Sequence, residues 1–311
     1  MITTKKHLLK FYLPLSFAFL FFVGFGSLMI YMFLDIEKDQ IELKTYFKPA
    51  IGIGFIFMAF SLIIQYVKNS PKISVDKTSI SFNNEKYRLD DIKNIILTGK
   101  MPFKYLIKFP MEGAFLEFKD GTEKYIFNDM YSNTWQIKSF LEKTVIEKKD
   151  YKIPKNIKID SNQLRFEQIE EFKGIQWTSL RGLSLWGLIG FFLFLVLSKN
   201  QNPTLGFWLF ISLFGSFWFF MNSWLMHFFG LTRDFLVIKN HNLIWKQHIF
   251  RLEEIKEVVF ETQGKMPNCL RVITKDFKNK LYPAGTLRDN TWLEFKISLE
   301  KRGIKVRNEC I

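Results

Sequence analysis

Four stretches of this chain carry no Asp, Glu, Lys or Arg: residues 11–34, 49–67, 182–198 and 203–230. A bilayer core of about 30 Å needs roughly 20 apolar helical residues, and a helix satisfies its backbone polar groups within the segment. The four blocks are therefore predicted as transmembrane helices, and a single soluble domain is excluded. The third is barely long enough, and Trp177 with a snorkelling Arg181 would extend it by a turn. The first is preceded by Lys5, Lys6 and Lys10, but no A-x-A-like cleavage site follows Leu34, so it reads as a span rather than a signal peptide.

Charge sets the expected orientation. Residues 35–48 hold Lys38, Lys44 and Lys48 against Asp35, Glu37, Asp39 and Glu42, and residues 199–202 hold only Lys199. All but four of the 44 cationic residues, and all but four of the 30 acidic ones, thus fall on the other side with the whole net charge of +14. Lys5, Lys6, Lys10, Lys68, Lys72, Lys173, Arg181 and Arg233 flank the spans on that side. The positive-inside rule places it in the cytoplasm, giving a multi-pass inner-membrane protein with cytoplasmic N- and C-termini.

The chain also reads as an internal duplication. Arg88-Leu89-Asp90-Asp91-Ile92-Lys93 returns as Arg251-Leu252-Glu253-Glu254-Ile255-Lys256, and Gly99-Lys100-Met101-Pro102 as Gly264-Lys265-Met266-Pro267. Upstream, Ile73-Ser74-Val75 and Ile80-Ser81-Phe82 align with Leu236-Val237-Ile238 and Leu243-Ile244-Trp245. Later matches come closer together, so the second copy is shorter by about eight residues in its middle strands. A helix must keep one register, since an inserted residue turns the remainder by about 100°. That argument pairs Asn133 with Thr291, Ile137 with Phe295 and Leu141 with Leu299, each helix opening on a capping box. The expected organisation is a helix pair in residues 1–70, a soluble domain in 71–150, a linker with an interfacial helix in 151–181, a second pair in 182–230, and a second domain in 231–311. In the linker Pro154 breaks the chain, and Leu164, Ile169, Phe172, Ile175 and Trp177 form the apolar side of that helix.

Alternating apolar residues predict strands at 73–75, 79–82, 92–98, 105–109, 115–118 and 124–127, with Asp120-Gly121 as a hairpin turn. The second copy repeats them at 235–239, 243–246, 255–260, 270–274 and 280–282. An amphipathic helix closes each copy, with Ile137, Phe140, Leu141 and Val145 as the first apolar stripe. Short consecutive strands, the Arg-Leu-Asp-Asp-Ile-Lys entry into the third and a closing helix with Trp near its start resemble the bacterial PH-like domain. A helix pair leading into such a domain is similar to a group of small bacterial membrane proteins. The resemblance covers both halves. It implies two small α+β PH-like domains, each an antiparallel sheet capped by a C-terminal helix, carried by four transmembrane helices and acting as binding or assembly modules without catalytic activity or cofactor.

The residues offer little chemistry. Walker A, G-x-G-x-x-G, G-x-S-x-G, H-E-x-x-H and C-x-x-C patterns are all missing, and Cys269 and Cys310 are the only cysteines, which excludes a disulfide scaffold. His241 and His248 lack further metal ligands nearby, and Asp90-Asp91 and Glu253-Glu254 read as solvated turn charges. A transporter, or an accessory subunit of one, is the alternative. It would have to use Gln65, Asn222 and His227, all close to predicted helix ends. Ala50 with Gly54, and Ser212 with Ser216, are candidate small-residue helix contacts.

Two contact sites are predicted. Lys100, Met101, Pro102 and Lys265, Met266, Pro267 would form turns with an exposed, adaptable methionine. Lys301, Arg302, Lys305 and Arg307 would form a lipid-facing basic cluster. Basic residues beside an anionic inner leaflet account for the sequence pI of 9.5 without nucleic acid. The expected partners are membrane lipid, anionic inner-leaflet lipid above all, and an unspecified protein or a second copy of the chain.

Overall fold

The computed structural model describes residues 1–37, 42–104, 108–153, 168–198 and 204–311, divided into two compact units, Met1–Ile153 and Pro154–Ile311. Lys38, Asp39, Tyr105, Pro154, Leu164, Lys199 and Pro203 lie outside the described residues.

The first unit opens with a two-residue strand, β1 (Ile2–Thr3). A π-helical turn then runs into α1 (Leu13–Leu34), with Pro14 at its start where the missing N–H costs nothing. Helix α2 (Phe47–Lys68) returns alongside. Both are long and apolar enough to cross a membrane. They touch where a Cβ added to Gly26 would lie 2.6 Å from Gly52 O, and the reverse holds equally. Ala50 and Gly54, the expected contact residues, are exposed; Gly26, Gly52 and Ala59 are the buried small residues.

Strands β2 (Ile73–Val75), β3 (Ser79–Phe82) and β4 (Glu85–Arg88) follow α2 as a meander. The sheet is completed by β1, so its order is β1-β2-β3-β4 and the whole helix pair is inserted between its first two strands. A 3₁₀ turn over Leu89–Asp91 leads to β5 (Ile92–Ile96), then β6 (Lys100–Lys104), β7 (Lys108–Phe118) and β8 (Glu123–Phe127). Strand β7 pairs with all three of the others. Asp120-Gly121 forms the expected β7–β8 turn, with Gly121 at φ +81°. Helix α3 (Thr134–Leu141) closes the unit, burying Ile137 and Leu141 with Ile73, Val75, Ile80, Phe82, Leu116, Phe118 and Ile126.

The second unit has the same order of elements: β9 (Glu170–Phe172), α4 (Leu180–Ser198), α5 (Leu205–Trp224), β10 (His227–Leu231), β11 (Phe235–Asn240) and β12 (His248–Arg251). Its first sheet runs β9-β10-β11-β12, again enclosing a helix pair apolar enough to span. After a 3₁₀ turn at Leu252–Glu254 come β13 (Ile255–Thr262), β14 (Asn268–Thr274), β15 (Asn279–Pro283), α6 (Asp289–Lys301) and β16 (Val306–Asn308), the last parallel to β13. Phe229, Phe260, Trp292 and Phe295 form the centre of the core, with ring centroids 4.7–5.8 Å apart for the Phe229–Phe295, Phe260–Trp292 and Phe260–Phe295 pairs.

Several expectations are corrected. The fourth apolar stretch is not one span: α5 stops at Trp224 and the rest is β10, because Met226, Phe229 and Leu231 sink completely into the core. The linker's interfacial helix does not form in the described residues; Phe172 is a buried strand residue, whereas Ile175 and Trp177 are exposed outside any helix. The strand expected at 243–246 is a loop. Val75 pairs with Ile80 and Leu231 with Leu236, so β2 corresponds in position to β10, seven residues upstream of where the apolar pattern placed it. Those seven residues appear instead in the β11–β12 loop, where β3–β4 has only Asn83 and Asn84. By contrast, the Arg88–Lys93 and Arg251–Lys256 segments hold the same place, each with a 3₁₀ turn followed by a register shift, at Ile92/Asn94 and Ile255/Glu257. Between β13 and β14 the second unit has only the turn at 263–267, with no counterpart of the β6 hairpin among its described residues. In the closing helices Ile137 and Phe295 are both fully buried, as are Leu141 and Leu299. Thr291 is not a cap, since α6 begins at Asp289. Ser212 and Ser216 are exposed on α5.

Candidate functional site at the junction of helices and sheet

The two expected contact sites are placed differently from the sequence reading. Lys100, Met101 and Pro102 are not a turn but the start of β6, and Met101 is buried against β7, opposite Met111. Lys265, Met266 and Pro267 do form the β13–β14 turn, with Met266 N–H donating to Gln263 O and Gly264 at φ +57°. Identical tetrapeptides thus adopt two conformations, because the first is followed by enough chain to fold back as a hairpin. The basic cluster is divided. Lys301 is exposed at the end of α6. Arg302 Nη2 holds Glu170 Oε2 at 2.9 Å while its Nε donates to Thr232 O. Lys305 Nζ and Arg307 Nη2 converge on the buried Glu257 carboxylate at 3.3 and 3.7 Å. Three of the four cations are therefore engaged in internal pairing, while Lys301 and Lys305 remain exposed.

A better-formed site lies in the first unit, where α2 meets the sheet. Lys68 and Asn69 at the end of α2, Asn83 and Asn84 of the β3–β4 turn, and Glu123, Lys124, Tyr125 and Phe127 of β8 line a cavity of about 410 Å³. The local folding is dictated by the chain's entry. Asn69 Nδ2 donates to Gln65 O, and Lys72 N–H donates to Asn83 Oδ1 at 2.8 Å, so the turn is fastened beside the helix end. Asn83 sits at φ +53°, a conformation Asn tolerates better than other side chains. Lys124 pairs with Glu85 and lies over the rings of Phe82 and Tyr87 at 5.8 and 5.5 Å. Burial depresses the Lys124 ammonium more than any one neighbour raises it, but the hydrogen bonds and charge interactions with Glu85 and Tyr87 together outweigh burial and raise its pKa. The same bond lowers the Glu85 carboxyl. Nothing in the sequence pointed to Glu85 and Lys124, which are separated by 39 positions.

On the other side of the α2 end, the N-terminal residues are clasped to the domain. Thr4 N–H donates to Ile73 O at 2.8 Å, and Lys5 N–H donates to Asn133 Oδ1 at 2.8 Å. The Lys6 ammonium donates to Ser70 O between the rings of Phe11 and Tyr131, and burial there pushes its pKa down to about 8.

Chemically, the cavity offers two ammonium groups, two carboxylates and three carboxamides among aromatic rings, with no His, Cys or Ser among the lining residues. With ammonium groups and carboxylates in equal number, it suits a small polar group that meets both signs of charge. Among the described residues no group of three or more His, Cys, Asp and Glu is placed to hold a metal ion. His241 hydrogen-bonds Thr286 Oγ1 at 3.1 Å, and His248 lies against the Tyr282 ring. No protein-family model matches the chain, and no curated protein matches its sequence.

Proposed function

We propose that the chain is a non-enzymatic multi-pass membrane protein that holds two PH-like domains, the product of an internal duplication, against the cytoplasmic leaflet as a binding or assembly platform. One observation carries this reading: in each unit a helix pair is inserted between adjacent, hydrogen-bonded strands, Ile2 opposite Val75 and Glu170 opposite Leu231. A sheet closed across the ends of two spanning helices cannot swing away from the membrane surface as a domain on one flexible linker can. The same pairing supports an N-terminus on the same side as the first domain, and the one-sided charge supports the cytoplasm as that side. The cavity beside Lys68 falls at headgroup level under this reading, where the exposed Lys68 offers a cation to a lipid phosphate.

The transporter alternative draws less support. Of its three polar residues, His227 belongs to a strand and Asn222 lies in the last turn of α5, donating to Trp218 O. The platform reading is tested by cross-linking a tagged chain in intact membranes and identifying what co-purifies. A specific protein partner supports it; only bulk lipid and self-links would count against it and bring solute-transport assays forward.

A further inference from the structure

We infer that residues 241–247 of the second unit form an interfacial anchor that lays Ile244 and Trp245 into the headgroup–acyl boundary of a bilayer. The inference rests on the reading of α4 and α5 as membrane-spanning. The level of the loop follows from strand direction. Strand β10 leaves the end of α5 and runs away from it, and antiparallel β11 returns, so that Asn240 stands opposite His227. The loop therefore begins where the helix ends, and it is fastened there. Asn240 Nδ2 donates to Ser223 O at 2.7 Å, Asn242 Nδ2 to Ser223 Oγ at 2.8 Å, and His241 N–H to Met226 O at 3.1 Å. Gln176, just before α4, bonds Asn242 from the other helix of the pair.

On this base Leu243 is buried as a foot, while Ile244 and Trp245 are 81% and 74% exposed. Two adjacent large apolar side chains gain nothing from water. An indole at headgroup depth keeps its N–H wet and its ring in the acyl boundary. The next residue, Lys246, is exposed and adds a cation for lipid phosphate. Trp177, 62% exposed before α4 and stacked on Trp186 at 5.0 Å, supplies a second aromatic near the same helix ends. The first unit has only the exposed Asn83-Asn84 turn at the corresponding place. The anchor is therefore a property of the second unit alone.

The test uses the full chain with Cys310→Ser, Cys269 being buried. A polarity-sensitive fluorophore is attached in turn at Ile244→Cys, Arg233→Cys and Leu213→Cys, and each protein is reconstituted in phosphatidylcholine–phosphatidylglycerol vesicles. Nitroxide lipids labelled near the headgroup or at the chain end act as quenchers. A side chain about 5–10 Å into the boundary should lose about half its emission to the shallow nitroxide at position 244, while position 233, at the opposite end of β11, stays unquenched. If 244 behaves like 233 while the chain-end nitroxide quenches 213 strongly, the anchor is wrong and the span stands. If 213 is not quenched either, the membrane-spanning reading fails and takes the anchor with it.

Discussion

Thr3 and Ser74 face one another across an antiparallel ladder, their hydroxyl oxygens 3.3 Å apart although 71 positions separate them in the chain. Next to them Thr4 Oγ1 accepts from Ile73 N–H at 2.9 Å and donates to Ile73 O. Thr4→Val keeps the shape and leaves that N–H without its partner. The expected cost is about 1–3 kcal/mol, read from thermal unfolding of the purified protein. An unchanged midpoint would show that the Thr4 side-chain bonds contribute nothing to the first unit.

The contact between α1 and α2 depends on two glycines. At Gly26 a Cβ would meet Gly52 O at 2.6 Å, whereas at Gly24 and Gly54 nothing lies within 4 Å. Gly26→Val should force the helices apart and cost about 1–3 kcal/mol, measured as a lower denaturation midpoint in detergent. Gly54→Val should leave the midpoint in place. Equal effects at both positions would remove the glycine contact from the account.

His227 gives the second unit a pH limit. Its Nδ1 lies 3.0 Å from Pro283 O, and burial pushes its pKa down to about 4. Between pH 6.5 and 4 the unfolded chain binds a proton that the folded unit refuses, so stability is complete above 6.5 and falls as the pH drops through that window. The loss should approach about 3 kcal/mol at most. His227→Gln should flatten the profile of unfolding midpoint against pH; an unaltered slope would assign the acid sensitivity to other groups.

Glu261 and Arg271 form an ion pair in which both side chains are 1% exposed, with two guanidinium nitrogens on Oε1 at 2.9 and 2.7 Å. Removing one member of a buried pair strands the other charge. Glu261→Ala should cost about 3–5 kcal/mol, while Glu261→Leu with Arg271→Met should cost much less. Chemical denaturation of the single and double variants decides; a double variant as damaged as the single one would contradict the pairing.

The contrast between what was legible and what was not follows residue chemistry. Arg88–Lys93 and Arg251–Lys256 could be matched because a 3₁₀ turn followed by a bulge demands a particular order of residue types. The alignment of Ile80–Phe82 with Leu243–Trp245 failed because alternating apolar residues fit many registers, and Leu243-Ile244-Trp245 imitates a strand while folding as a loop. Strand β1 was too short for any periodicity, and its partner lies beyond two helices. His227 was hidden inside an apolar run whose far end belongs to the sheet. The junction cavity left no mark at all, since Lys68, Asn83 and Lys124 meet only after the strands have been laid side by side.

The insertion of a helix pair between neighbouring strands also fixes an order of events during synthesis. Strand β1 leaves the ribosome before α1, α2 and β2 and has nothing from this sheet to pair with until they have followed it. On the proposed membrane-spanning reading, delivery of the hairpin into the bilayer brings its two ends together and so presents β1 to β2. On that reading a nascent chain whose hairpin stalls keeps that edge of the sheet open, so completion of each sheet would report that its own helix pair has been inserted.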